Sequence, residues 1–103
     1  MVAANQLRQQ GFAVIEVSSA DEALRILDAP VQVDLVFADV HLEGSSLDGF
    51  ALGRWIRANK PATRVLLTSG LVSSPGPDGE TVLPKPIKHE ELLRRIRALL
   101  ASE

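Results

Sequence analysis

VQVDLVFADVHLEGSSLDG, residues Val31 to Gly49, joins a short apolar run, a carboxylate and a polar loop that opens onto a helix. Asp34 to Ala38 is apolar nearly throughout, as expected for a parallel strand covered on both faces. The run ends in Asp39. In an open α/β sheet, a carboxylate at the carboxyl end of a strand stands where ligands and chemistry gather. Asp39 is therefore the candidate reacting residue, and its partners must come from the remainder of the chain.

Upstream, residues 1–10 have helix-tolerant composition, and Gly11 is placed to end that helix in a left-handed conformation. Phe12 to Val17 (FAVIEV) is rich in β-branched residues and predicts a buried strand. Ser19 and Glu22 form the pattern of a capping box. Ala20, Ala23, Leu24 and Leu27 then repeat at helical spacing as far as Pro30.

Downstream, Asp48 to Asn59 predicts a helix with Phe50, Leu52, Trp55 and Ile56 as its apolar positions, ended by Lys60-Pro61. Val65 to Thr68 predicts another buried strand. Residues 69–80, SGLVSSPGPDGE, hold two prolines and three glycines, which oppose a long helix. Thr81 to Leu83 is a minimal strand. Glu90 to Ala101 predicts a final helix, with Leu92, Leu93, Ile96, Leu99 and Leu100 on one face and two glutamates near its positive end. Strands alternating with helices indicate an α/β domain with a parallel sheet and right-handed crossovers.

The chain has 103 residues and is 46% hydrophobic, which suits one domain with a core of its own, spanning residues 1–103. It has no cysteine, so disulfides and thiolate metal sites are excluded. A net charge of -2 and a pI of about 5.6 lack the basic excess of a nucleic-acid binder. No apolar run approaches the roughly 20 residues that span a bilayer, and the start lacks a signal-peptide pattern. The expectation is a cytoplasmic protein that binds neither nucleic acid nor membrane.

Three polar residues follow or end three successive strands: Asp39, Thr68 and Lys85. In a doubly wound sheet those ends converge on one crevice. A carboxylate, a hydroxyl and an ammonium there suit phosphoryl transfer to the carboxylate. The carboxylate attacks phosphorus, and the other two groups hold the phosphoryl oxygens. Taken singly, each has a plainer reading. Asp39 could cap a turn, Thr68 could be an ordinary strand threonine, and Lys85 could lie on the surface.

With DLVFADV at 34–40 ending its strand at Asp39, LDG at 47–49, VLLTSG at 65–70 and LPKP at 83–86 before HEELLRRIRALL, the chain resembles the receiver domain of two-component response regulators. The likeness covers nearly the whole chain, with four motifs in the family's order. It implies a flavodoxin-like, three-layer α/β/α fold with a parallel sheet. Asp39 would be the phosphoacceptor, served by a histidine kinase or a histidine phosphotransfer protein. Thr68 would be the switch hydroxyl and Lys85 the phosphate-pairing ammonium, with a cis Lys85-Pro86 bond. Mg2+ would be held by Asp39 and by the backbone carbonyl of His41. The chain would receive a phosphoryl group and turn over no other substrate, beyond losing that group by autodephosphorylation.

The chain also departs from the family pattern. Gly11-Phe12 matches the end of the family's first helix, so Met1 falls inside that helix. The family's opening strand and the acidic pair that holds magnesium have no counterpart in the 103 residues. Glu43 or Asp48 could substitute from the loop. In the family's strand order, 2-1-3-4-5, the opening strand separates Phe12–Val17 from Asp34–Ala38. Its loss leaves three outcomes: sequence upstream of Met1, direct pairing of the two strands, or pairing with another chain in a homodimer. The segment after Thr68 predicts a short or irregular fourth helix. Val82 stands at the family's aromatic switch position, and Leu71 cannot replace that ring.

These departures support a second function, a degenerate receiver that works as a phosphorylation-independent interaction or dimerisation module. An aspartate-based phosphatase is disfavoured, since it wants a second aspartate where His41 stands. A nucleotide site is disfavoured because no glycine-rich loop joins an early strand to its helix. His41 reads as a loop residue, His89 as solvated, and Arg94, Arg95 and Arg97 as a solvated helix face. Trp55 is either core or, with Leu52, an exposed contact patch.

Overall fold

The computed structural model of the chain describes residues 2–42, 44–71 and 75–101. Its elements are α1 (Val2–Gln9), α2 (Ala20–Asp28), β1 (Leu35–Asp39), α3 (Gly49–Asn59), β2 (Arg64–Ser69), β3 (Val82–Pro84) and α4 (His89–Ala101). The strands form one sheet in the order β1-β2-β3, and both pairings are parallel.

Two-residue alternation along the strands sorts the apolar side chains onto two faces. Leu35 and Phe37 of β1, Leu66 of β2 and Leu83 of β3 pack with Leu7 of α1 and with Leu92 and Ile96 of α4. Val36 and Ala38 of β1 and Val65 of β2 pack with Ala20, Ala23 and Leu27 of α2 and with Leu52 and Ile56 of α3. The result is three layers, with α1 and α4 on one side of the sheet and α2 and α3 on the other.

The helix boundaries follow local chemistry. Gly11, at φ +94, terminates α1 in a conformation that a Cβ disfavours. Ser19 Oγ accepts from the Glu22 amide at 3.1 Å and caps α2. The predicted reciprocal half of the capping box is replaced, because the Glu22 carboxylate accepts from Ser18 Oγ at 3.2 Å instead. Asp48 Oδ1 accepts from the Ala51 amide at 2.8 Å and caps α3, so this helix begins one residue later than predicted. Between β2 and β3, the described residues contain no helix, in keeping with their proline and glycine content.

Several expectations are corrected. Phe12–Val17 is not a strand and does not pair with β1. A peptide in β conformation becomes a strand only when a neighbour takes its N–H and C=O groups. Within the described residues no strand lies beside it. Phe12 and Val14 still turn into the α1–α4 core, whereas Ile15 is 58% exposed and Val17 38%. For the same reason β1 is an edge strand, with all five residues half-buried rather than covered on both faces. Leu100 leaves the core face of α4, at 40% exposure. His89 is half-buried, and its Nδ1 is shielded from solvent, so it is not a solvated residue. Trp55 is half-buried against the α2–α3 core and forms no exposed patch.

Candidate functional site

The site lies at the carboxyl edge of the sheet. Strand register alone brings two of its residues side by side: Asp39, the last residue of β1, is the register partner of Thr68 on β2. The ladder continues past both, since the Val40 amide donates to the Thr68 carbonyl at 2.9 Å. Thr68 is in turn the register partner of Leu83 on β3. Lys85 follows β3 directly, and its amide donates to the Ser69 carbonyl at 3.0 Å. The Lys85-Pro86 bond is cis.

The Lys85 ammonium reaches across to Asp39 Oδ2 and forms an ion pair with it. The other carboxylate oxygen, Oδ1, accepts from the His41 amide at 3.0 Å. Partial burial pushes the Asp39 carboxyl up. The hydrogen bonds from Lys85 and His41, with the nearby positive charge, outweigh that and hold the group below its ordinary value of 3.8. Asp39 is therefore ionised at neutral pH, as a nucleophile must be.

Thr68 is placed beside Asp39 but is not turned to it. It is 4% exposed, and its Oγ1 donates to the Leu83 carbonyl at 2.8 Å. The structure thus joins Asp39 and Lys85 directly and holds the Thr68 hydroxyl in reserve on β3. Thr68→Val keeps the shape and removes this donor, leaving a buried carbonyl with less than its full complement. The expected cost is about 1 kcal/mol, read as a lowered urea midpoint with an unchanged m-value.

A small apolar cluster underlies the site. Val40, Phe50, Leu67 and Val82 are all buried and in mutual contact. Val40 and Leu67 are chain neighbours of Asp39 and Thr68, Phe50 follows the glycine that opens α3, and Val82 lies three residues before Lys85. Val82, predicted from its place in the motif to lack a switching ring, is 3% exposed and serves as core. Leu71 is 85% exposed.

Two features were not assigned from sequence. The first is Gly49, the last residue of the LDG motif. Its amide donates to the Val40 carbonyl at 2.8 Å, and a Cβ there would lie 2.5 Å from the Asp39 carbonyl oxygen. The start of α3 therefore rests against the backbone that presents the carboxylate. The loop after Asp39 is also stitched to α2. Ser45 Oγ accepts from the Ala20 amide at 2.9 Å, and Ser46 Oγ donates to Asp21 Oδ1 at 2.8 Å. Nothing in a serine pair signals such a long-range contact.

The magnesium expected from the resemblance does not fit the residues described. Mg2+ wants octahedral oxygen ligands and usually carboxylates among them. Both oxygens of Asp39 are engaged, and Oδ1 of Asp48 caps α3. Among the described residues no group of three or more His, Asp or Glu side chains could hold a metal ion. Glu43, the other suggested substitute, lies outside the described residues. His41 donates its amide to Asp39 Oδ1, a contact that leaves the role expected of its carbonyl untouched. Among the described residues, no helix is long and apolar enough to cross a membrane.

Comparison with known proteins agrees with this architecture. The family model for the response regulator receiver domain matches residues 1–97. A response regulator from Thermotoga maritima is 30% identical, with 98% of this chain and 87% of that one covered at a TM-score of 0.79. The receiver domain of NtrX from Brucella abortus is 27% identical, with 99% and 89% covered at a TM-score of 0.79. A CheY-like receiver domain protein from Methanospirillum hungatei, 19% identical, shares the fold at a TM-score of 0.84, with 96% and 82% covered. With a flavodoxin-like receiver architecture and a family match over nearly its whole length, the chain belongs to the response regulator receiver domain family.

Proposed function

We propose that Asp39 is the phosphoacceptor of this receiver domain and takes its phosphoryl group from a histidine kinase or a histidine phosphotransfer protein. The observation that carries this reading is the Asp39–Lys85 ion pair at the carboxyl edge of the sheet, beside a buried Thr68 hydroxyl. An Asp39 oxygen attacks phosphorus while the P–N bond to the donor imidazole breaks, and the imidazole takes up a proton. Lys85 leaves the carboxylate and pairs with a phosphoryl oxygen, so its charge is spent on the transferred group. The Thr68 hydroxyl exchanges the Leu83 carbonyl for a second phosphoryl oxygen. Receiver domains of this family generally bind Mg2+, whereas the described residues of this chain hold no cluster of three carboxylate or imidazole groups for it. On this reading the chain is an acceptor that relays a phosphoryl group and is not a turnover enzyme.

Labelling with acetyl phosphate, with and without magnesium, tests the reading. A phosphoryl adduct seen by mass spectrometry and absent in Asp39→Asn is the expected result. No adduct under either condition overturns it.

One observation favours a second reading, a phosphorylation-independent interaction module that pairs through its sheet edge. Phe12–Val17 has the composition of a strand, yet no strand adjoins it among the described residues, and β1 offers an open edge. Open edges template pairing with another chain. Sedimentation over a hundredfold concentration range separates the two readings: a homodimer that forms whether or not Asp39 is intact supports the second.

A further inference from the structure

The segment Gly76-Pro77-Asp78-Gly79-Glu80 closes on itself. The Gly79 amide donates to the Gly76 carbonyl at 3.0 Å, and the Gly76 amide donates to the Glu80 carbonyl at 2.8 Å. The Asp78 amide donates to Glu80 Oε1 at 2.7 Å. This compact turn sets Gly76 against the ring of Phe50. A Cβ on Gly76 would collide with that ring and would stand 2.6 Å from Glu80 Oε1, so only glycine allows the approach. Phe50 is 7% exposed and packs in one cluster with Val40, Leu67 and Val82.

Charge fastens the turn to α3. Arg54 and Arg57, three residues apart, share a helix face. Arg54 pairs with Asp78 at 3.2 Å, and Arg57 pairs with Asp78 at 3.7 Å and with Glu80 at 3.8 Å. The Arg54, Arg57 and Asp78 side chains are 51%, 49% and 48% exposed, whereas Glu80 is 8% exposed. Exposed pairs are individually weak and are screened by salt. The turn holds no place in the sheet ladder, so it can lift without breaking a strand pairing.

We propose that Gly76–Glu80 is an electrostatically latched cap over Phe50, and that it opens by breaking its own internal hydrogen bonds, uncovering Phe50 while the sheet stays folded. This device goes beyond the phosphoacceptor reading and does not depend on it.

Amide hydrogen exchange of the full chain, followed by NMR at Gly76, Asp78 and Gly79 with the β2 amides as internal reference, tests it. Raising NaCl from 0.05 M to 1 M shortens the screening length from about 14 Å to about 3 Å. Protection of the three turn amides is expected to fall about fivefold relative to β2. The Arg54→Gln/Arg57→Gln double variant is expected to show a similar loss at low salt and no further loss at high salt. The cap is refuted if the turn amides exchange in step with β2 at every salt concentration, or if the double variant keeps the native salt response. Should the double variant fail to fold, the salt series on the unmodified chain decides the matter by itself.

Discussion

Gly49→Ala is expected to destabilise the domain by about 3 kcal/mol, the upper end of what overpacking costs. The added methyl would sit 2.5 Å from the Asp39 carbonyl oxygen and 2.8 Å from Val40 Cα, and both neighbours are backbone that cannot rotate away. Relief requires α3 to move off the sheet or β1 to bend. α3 is anchored by Leu52 and Ile56, at 2% and 0% exposure, so the strand end yields and carries Asp39 with it. For a domain of about 100 residues, such a loss lowers the thermal midpoint by roughly 15 °C. Calorimetry measures the fall. A change of less than about 3 °C would show that the approach of α3 to the site is looser than the structure has it.

Lys85→Ala should reduce phosphoryl uptake at Asp39 about 100-fold, the size of effect seen when one preorganised charge-stabilising group is removed. The same variant alters acid behaviour in a way that does not depend on phosphoryl chemistry. In the native chain Lys85 and the His41 amide hold the Asp39 pKa below its ordinary value against the opposing effect of burial. A carboxyl with a lowered folded pKa adds stability that is fully present above its unfolded pKa and is lost as pH falls through the folded value. Without Lys85, burial loses its main opponent and the folded pKa moves up. The Asp39 contribution at neutral pH then shrinks, and the decline of stability on the acid side becomes shallower. A carboxyl-carbon NMR titration of Asp39 reads the shift directly. A titration curve that coincides with that of the unmodified chain would mean that the ion pair does not form in solution.

Much of the fold could be read locally. Helices announce themselves through apolar spacing, and their ends through single residues such as Ser19, Asp48 and Gly11. α2, α3 and α4 therefore stand within a residue or two of their predicted bounds. Strand propensity is less decisive, because a strand is a relation between segments. FAVIEV has the composition of a strand and none of the hydrogen-bonding company of one, whereas the shorter TVL run pairs through its last two residues because β2 lies beside it. Composition could not distinguish these two cases. It also could not show that the half-buried imidazole of His89 and the exposed Leu100 depart from their expected surroundings.

By itself, the order of residues determined that Asp39, Thr68 and Lys85 end or follow successive strands, and a parallel sheet must then gather them at one edge. Tertiary structure decided which of them touch. Lys85 meets Asp39, Thr68 turns to Leu83, and Gly49 sets α3 against the site backbone. It also decided that both Asp39 oxygens are engaged by Lys85 and the His41 amide, and that the turn before β3 is clasped to α3. The physical reason is that spacing along a chain sets which residues share an end or a face. Contacts between side chains more than a few residues apart depend on how the layers pack, and packing is a property of the whole molecule.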